Sequence, residues 1–240
     1  RSSSAIRATV AELYFKKAQT CSKHEDNWSL IPLNFFDDLM RLKLVPRSGW
    51  ISYRISKHDV ESVSSHSYSV SMIALTMSEM MRLRNQRINV EQVLRMALLH
   101  DLSESLTFDI SKAYLQYLGQ KGSQLKTRLE RRAISRILGG LEDRRLAKTF
   151  NAALEEYSRA KSLEARIAHC ADALDLLLQI IEYQRMGYSK TTLDPIWKET
   201  KSKLMMHELA LATEWMRRLG RLRAGLGRKS RRVESRRAVK

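Results

Sequence analysis

The sequence is poor in residues that interrupt helices, with three prolines and nine glycines among its 240 residues. Its apolar residues recur at intervals of three and four, and they almost never alternate with polar residues as they would in strands. Both features predict helices throughout the chain and an all-α fold. Because a chain of this length can bury one sizeable hydrophobic core, we expect a single domain.

A long hydrophobic segment and a cysteine framework are also missing. No apolar run approaches the roughly 18 residues that would suggest a membrane span, so we expect a soluble protein with no membrane partner. Cys21 and Cys170 have no metal-like spacing, which is typical of a reducing, intracellular compartment. Residues 1–11 hold two arginines, three serines and no acid, a weak resemblance to a targeting remnant, so cytoplasm and mitochondrial matrix both stay open.

Acidic residues are outnumbered, since 43 lysines and arginines face 26 aspartates and glutamates, for a net charge of +17. The excess is uneven: eleven basic residues and one acid, Glu234, lie between Met216 and Lys240. We therefore expect a basic tail at residues 220–240, and residues 216–240 are a candidate contact for RNA or a ribosome, because clustered arginines attract polyanions without reading a sequence. A solvated tail without a partner explains the same charge.

Residues 98–109 set one histidine and three acids into an otherwise apolar helical pattern. His100 follows the spacing of the apolar residues before it, and His66 lies on the apolar face of an earlier predicted helix. Asp172 lies close to the apolar stripe of a later helix, where a carboxylate is costly unless it is paired or binds a cation. Taken alone, the pair His100–Asp101 is better explained by a core histidine followed by a capping or loop aspartate.

Arg47 and Trp50 share a short loop marked by a proline and a glycine. A phosphate-binding arginine with an aromatic lid is one interpretation. A surface arginine beside a packed tryptophan is the other, and the residues alone favour it.

Caps and breaks divide the chain into predicted helices. Asn34 is a candidate N-cap for a helix that ends near residue 44, and Asp59 is one for the helix that carries His66. Asn89 is a candidate N-cap for the helix that leads to His100, and together with the glutamine three residues later it resembles a capping box. Asp109 is a candidate cap for the next, short helix. Glycines then mark helices near 123–138, 142–159 and 162–186, and a final helix starts at 194 or 195 and ends near 218. With a further helix at 5–20, the chain divides into an N-terminal extension (1–33), a main domain (34–219) and the tail (220–240).

The two histidines, the adjoining aspartate and the later acid resemble the H…HD…D signature of the HD-domain metal-dependent phosphohydrolases. Further segments resemble the 5′-deoxynucleotidase branch of that superfamily: 42–50, 61–67, 98–109, 155–157, 164–166, 172–174, 179 and 182–183. They keep the family's order and spacing over roughly residues 35–212. The resemblance implies a single HD-domain helical bundle, to which an N-terminal helix and the basic tail are added.

The resemblance also implies roles for individual residues. One divalent cation would be bound by His66, His100, Asp101 and Asp172, a nitrogen and oxygen set that suits Mn, Co, Fe, Ni or Zn. Glu104 matches the acid that handles the attacking water or the leaving oxygen, and Asp109 matches a second acid near the sugar. Arg47 matches the arginine that contacts phosphate, and Trp50 the aromatic that packs on deoxyribose. The implied activity is the release of phosphate from deoxynucleoside monophosphates by a metal-dependent nucleotide phosphohydrolase.

Two positions on the substrate side depart from the family pattern: Phe108 stands where a glycine is usual, and Ser111 where a proline is expected. His169, one turn before Asp172, is a candidate spare ligand, but we expect it to be packed or on the surface. Two alternatives stay open. The first is an accessory or structural role in a nucleic-acid assembly such as an organellar ribosome, and the second is hydrolysis of another nucleotide. A homodimer is also compatible with the sequence.

Overall fold

The computed structural model describes residues 32–237, with side chains for all of them except 112, 113 and 227–237. Within this range the chain is helical, and the only β-type pairing is an isolated bridge between Pro46 and Ser62. The all-α prediction is therefore confirmed. The predicted N-terminal helix at 5–20 lies outside the described residues.

Eleven helices follow one another in the described range. Their bounds are α1 Leu33–Arg41, α2 Ser48–Ser52, α3 Val63–Arg82, α4 Val90–Leu99, α5 Glu104–Thr107, α6 Lys112–Gln116, α7 Gly119–Gly139, α8 Arg144–Arg159, α9 Leu163–Arg185, α10 Lys190–Met206 and α11 Ala210–Arg237. No helix among the described residues is both long and apolar enough to cross a membrane.

Helix α9 is the centre of the bundle, because it packs against α3, α4, α8, α10 and α11. Apolar side chains of α3, α9, α10 and α11 form one buried cluster, which also contains Trp50. A second cluster lies among α1, α4, α7 and α8 and takes Ala165 and Ala168 from α9. The first half of α9 thus contributes to both clusters, and it is there that Asp172 is carried.

The N-caps differ in part from those predicted. Asn89 caps α4, since its side chain accepts the Gln92 N–H, but the Gln92 side chain bonds Glu156, so the reciprocal half of the capping box is absent. Helix α3 is capped by Ser62 rather than Asp59, whose carboxylate accepts the Tyr188 hydroxyl. At α1, Pro32 holds the N-cap position, and Asn34 is already inside the helix.

The final predicted helix is two helices. Helix α10 starts at Lys190, so Pro195 lies inside its second turn, where its missing N–H frees only the Thr191 carbonyl. The chain then breaks at His207–Leu209, with Glu208 at φ 52°. Arg166 donates from both Nε and Nη2 to the His207 carbonyl, which a continuous helix would have used itself. This capture lets α11 turn back and pack on α9 and α10.

Two smaller expectations are also corrected. Gly122, predicted as a break, is buried inside α7, where a Cβ would collide with the Leu115 carbonyl oxygen, so the glycine serves a close helix approach. Leu178 lies one turn after Leu174 in α9, a spacing that predicts a core position, but it is 41% exposed and lines a shallow apolar groove with Ile73 and Trp215.

Helix α11 runs without interruption across the predicted tail boundary at 219/220. Arg223, assigned to the tail by its charge, is 5% exposed. Its Nη2 lies 2.8 Å from Asp194 Oδ1, its Nε donates to Gln184 Oε1, and its guanidinium lies 4.4 Å from the centre of the Trp197 ring. At least the first turn of the predicted tail is thus packed on the bundle.

Candidate active site

Three of the four predicted ligands form a tight group at the junction of α3, α4 and the turn after α4. The ligand atoms of His66, His100 and Asp101 all lie within 4.8 Å of one another. Asp101 Oδ2 is 3.7 Å from His66 Nε2 and 3.3 Å from His100 Nε2. Asp172 adjoins the group through His66, with its Oδ1 3.2 Å from the same Nε2. Residues separated by more than 100 positions are thus brought to one point.

Both imidazoles are oriented by their other ring nitrogen. His66 Nδ1 lies 2.7 Å from Asp175 Oδ2, and His100 Nδ1 lies 2.8 Å from the Ala97 carbonyl oxygen, so each Nδ1–H has an acceptor. In the neutral form of each ring, Nε2 therefore carries the lone pair, and both Nε2 atoms are buried without a hydrogen-bond partner in the described part of the chain. A buried nitrogen without a partner is costly, and a metal ion would satisfy both. This donor set fits a divalent cation.

Carboxylates and imidazoles lie close together in this buried group, and their opposite charges shift the pKa values of one another. Burial raises the pKa of Asp101, but His100 and Arg47 lower it more, so it falls well below its usual range. Burial likewise raises the pKa of Asp172, but the contact with His66 lowers it more, so the pKa of Asp172 also falls well below its usual range. Burial and Arg47 lower the pKa of His66, but Asp172 and Asp175 raise it by more than this, so the pKa of His66 is about 10. The site therefore favours positive charge on its nitrogens, from a proton or from a cation.

Arg47 and Glu104 flank the group on the side of α2 and α5. Arg47 is the N-cap residue of α2, and its Nη1 lies 2.7 Å from Asp101 Oδ2 and 4.0 Å from Glu104 Oε2. Glu104 begins α5, is 5% exposed, and its Oε2 has no hydrogen-bond partner among the described residues. Burial and the Asp101 charge raise the pKa of Glu104 to about 9, so this carboxyl holds a proton at neutral pH.

Asp109 is held against the start of α2. Its Oδ2 accepts the Gly49 N–H at 3.4 Å, and its carbonyl accepts the Ser48 hydroxyl, so it is not the cap of a helix. Trp50 is not brought to an open face of the site. It is 2% exposed, its Nε1 donates to Glu61 Oε1 at 2.9 Å, and its ring meets Tyr183 edge-on. A tryptophan so enclosed has no surface to offer a sugar in this conformation, and it anchors α2, and with it Arg47, in the core.

Two acids near the site had no predicted role. Asp175 is 6% exposed and orients His66. Glu61, His66 and Asp175 form a second group, whose ligand-type atoms lie within 4.8 Å of one another. The signal for Asp175 was available, because it lies one turn after Asp172 on the apolar face of α9. His169 is packed, as expected: its Nε2 donates to the Tyr157 carbonyl, and its ring lies between those of Tyr157 and His207.

Comparisons with known proteins identify the family and the fold of this chain. The family model described as "HD domain" matches residues 39–210. A protein of Danio rerio named a 5′-deoxynucleotidase is 33% identical over 171 residues, which cover 71% of this chain and 78% of that protein. A conserved hypothetical protein from Pyrococcus furiosus superposes with a TM-score of 0.61 at 26% identity, over 77% of this chain and 99% of that one.

An HD-domain phosphohydrolase from Listeria innocua has the same fold, with a TM-score of 0.55 at 19% identity over 81% of this chain and 97% of that one. The match of the family model spans every residue of the group described above, from Arg47 to Asp175. The chain belongs to the HD-domain family.

Proposed function

We propose that this protein is a divalent-cation-dependent phosphohydrolase that releases phosphate from deoxynucleoside 5′-monophosphates. The observation that carries the proposal is the pair of buried Nε2 atoms of His66 and His100, which have no hydrogen-bond partner among residues 32–237 and face Asp101 beside the partly buried Arg47. The relatives named 5′-deoxynucleotidases support the choice of substrate.

The residues that would hold the cation are His66, His100, Asp101 and Asp172. Two imidazoles and two carboxylates suit Mn, Co, Fe, Ni or Zn better than a cation that prefers oxygen alone. When bound, such a cation lowers the pKa of a water molecule and polarises a phosphoryl oxygen.

Two further roles, phosphate binding and proton donation, fall to Arg47 and Glu104. Arg47 keeps its positive charge, because the surrounding carboxylates raise its pKa more than burial lowers it, and it can bind two phosphoryl oxygens through one planar guanidinium. Glu104, 4.0 Å from Arg47, carries a proton that can be donated to the leaving 5′ oxygen. One residue thus neutralises the phosphate and the other completes the cleavage.

Asp109 is proposed to bind the sugar, since it is fixed beside Arg47 by the start of α2. The predicted packing of Trp50 on deoxyribose would need the ring to leave the core, so we propose for Trp50 the support of Arg47 instead. The preference for deoxyribose over ribose therefore rests on the named relatives.

Contact with RNA or a ribosome through residues 216–240 and a homodimer stay predictions, the first resting on charge alone. Localisation to the cytoplasm or the mitochondrial matrix likewise stays a prediction.

The proposal is tested by phosphate release from a panel of deoxynucleoside and ribonucleoside 5′-monophosphates, with Mn²⁺, Co²⁺, Ni²⁺, Zn²⁺ and Mg²⁺ compared after treatment with chelator. We expect release from the deoxy compounds with at least one of the transition cations and little without a cation. Asp101→Asn, which keeps the shape of a ligand and removes its charge, serves as the inactive control. Equal release by wild type and Asp101→Asn, or release without any cation, would contradict the proposal.

A further inference from the structure

Phe108 has a backbone conformation that side chains rarely adopt. Its φ is 59° and its ψ is 167°. This combination belongs to the region that is populated almost only by glycine, and a residue with a side chain persists there only when its surroundings impose it. Ala160 also has a positive φ, of 52°, but its ψ of 27° is that of an ordinary left-handed helix cap. Phe108 is thus strained in a way that Ala160 is not.

The surroundings that impose this conformation are parts of the candidate site. The Phe108 N–H donates to the carbonyl of Glu104 at 2.9 Å and closes the single turn of α5. The next residue, Asp109, is tied by its carbonyl and its carboxylate to Ser48 and Gly49, which directly follow Arg47. Phe108 is therefore fixed on both sides by segments that carry the proposed proton donor and the proposed phosphate-binding arginine.

The strain is not compensated by packing of the ring. Phe108 is 65% exposed, and it takes part in no ring–ring or cation–ring contact among the described residues. A glycine here would remove both the strain and the exposed apolar surface. A costly conformation that holds an aromatic ring in solvent, in the residue directly before Asp109, suggests that the ring meets a ligand.

We propose that Phe108 stacks on the base of the bound nucleotide. The inference rests on the proposed function. With the phosphate at Arg47 and the sugar at Asp109, the base is the part of the substrate that extends farthest from the cation group. Consecutive Cα atoms are about 3.8 Å apart, so a residue adjoining the sugar-binding acid lies within reach of the base.

This contact makes Phe108 a specificity-determining residue. Every base has a flat face, so stacking on phenylalanine tolerates all bases and adds affinity to each of them. The larger purine face is expected to gain more than the pyrimidine face. The substrate class is therefore nucleotides with any base, purines preferred, as opposed to sugar phosphates without a base.

The experiment compares dAMP with 2-deoxyribose 5-phosphate, which has the same phosphate and sugar but no base, in wild type and Phe108→Gly. Stacking on an aromatic side chain contributes about 1–3 kcal/mol per base, which converts to a KM increase of about 5- to 160-fold for dAMP in the glycine variant. The KM for 2-deoxyribose 5-phosphate should stay within about twofold of the wild-type value, since the lost ring has no base to contact. Phe108→Trp should keep the low KM for dAMP, and Phe108→Leu, which is apolar but not aromatic, should not.

A stability effect is separated by two controls. Phe108→Gly relieves strain and is expected to keep or raise the melting temperature, so loss of folding does not explain a raised KM. Ala160→Gly relieves a positive φ at the end of α8 and should change neither KM. An equal rise of KM for both substrates, or no rise for dAMP, would overturn the inference and leave the proposed function intact. Failure of the wild type to hydrolyse either compound would instead overturn the proposed function and this inference with it.

Discussion

Asp175 shows how a residue that touches no substrate can decide the chemistry of the site. Its carboxylate lies 2.7 Å from His66 Nδ1 and is nearly enclosed. When the ring is neutral, as it is when it ligates a cation, this contact keeps the proton on Nδ1 and leaves the lone pair on Nε2, which faces Asp101 and Asp172. A ligating histidine whose other nitrogen donates to a carboxylate is both oriented and made more basic.

Replacing Asp175 is therefore expected to weaken the cation site without removing a ligand. Asp175→Asn keeps an acceptor but loses the charge, and loss of such a partner typically lowers metal affinity by about 10- to 100-fold. Calorimetric titration with Mn²⁺ measures the effect directly. Glu182→Gln, an exposed position on the same helix, is the matched control. Unchanged affinity in Asp175→Asn would mean that His66 is held by packing alone.

Glu104→Gln is expected to lower phosphate release by about 10²- to 10⁴-fold, the range typical of a lost general acid or base. Since Glu104 lies outside the ligand group, cation affinity and melting temperature should stay close to the wild-type values. Phosphate-release kinetics and the Mn²⁺ titration are measured on the same preparation. Near wild-type turnover would show that another acid, with Asp109 the first candidate, carries the proton.

At the scale of helices, the spacing of apolar residues predicted where helices occur better than it predicted the residues at which they begin and end. Helices α3, α4, α8 and α9 were predicted correctly, because the recurrence of apolar residues at intervals of three and four that predicts each helix also buries it in the bundle. Their starts depend on which of several polar residues reaches a free N–H. Asp59 and Ser62 are equally suitable caps by type, and only the contact of Asp59 with Tyr188, 129 residues later, separates them.

The break between α10 and α11 could not be predicted, since it depends on Arg166, which lies 41 residues before His207. The site likewise combines features that were predicted from the sequence with features that were not. Its histidines and acids were recognised from their family motifs, whereas the burial of Trp50 and the role of Asp175 depend on distant contacts. What one segment determines was predictable, and what two distant segments determine together was not.

Helix α11 leads to a prediction about truncation. Removing residues 227–240 should leave activity and stability unchanged, but removing 220–240 deletes Arg223 and leaves Asp194 without its partner. We expect the longer deletion to lower the free energy of unfolding by about 1–3 kcal/mol, as for the loss of a buried charged hydrogen-bond partner. Urea denaturation of both forms checks this result, and equal stability would contradict it.

The shorter truncation also tests the RNA prediction without the stability effect. If residues 227–240 bind a polyanion, full-length protein should lose affinity for RNA with a slope of about 0.7 to 0.9 log units per contact and per tenfold rise in salt. Equal slopes for the two forms would show that these residues are only solvated.

For the whole molecule, the cation and the proton compete for the same nitrogen of His66. Its pKa is raised from 6.5 to about 10 by Asp172 and Asp175, against burial and Arg47. A raised pKa in the folded state stabilises the protein below pH 6.5, and this contribution is lost as the pH rises towards 10. In the presence of chelator we therefore expect the melting temperature to fall as the pH increases from 6.5.

The rise in melting temperature caused by saturating Mn²⁺ should instead grow over the same pH range, since fewer protons must be displaced. A cation effect that does not depend on pH would contradict the placement of the cation at His66.

The long sequence separation of the contacts around His66 also determines when the site forms. The His66–Asp175 contact joins residues 109 positions apart, the Tyr183 hydroxyl accepts the Glu61 N–H across 122 positions, and the Tyr188 hydroxyl accepts the Ser56 N–H across 132. Helical turns form within about a microsecond, whereas contacts across so many residues wait for the chain to collapse. We therefore expect the site to form late in folding. In a refolding experiment, recovery of cation binding should lag behind recovery of helical circular dichroism, so that the two signals separate early helix formation from final assembly.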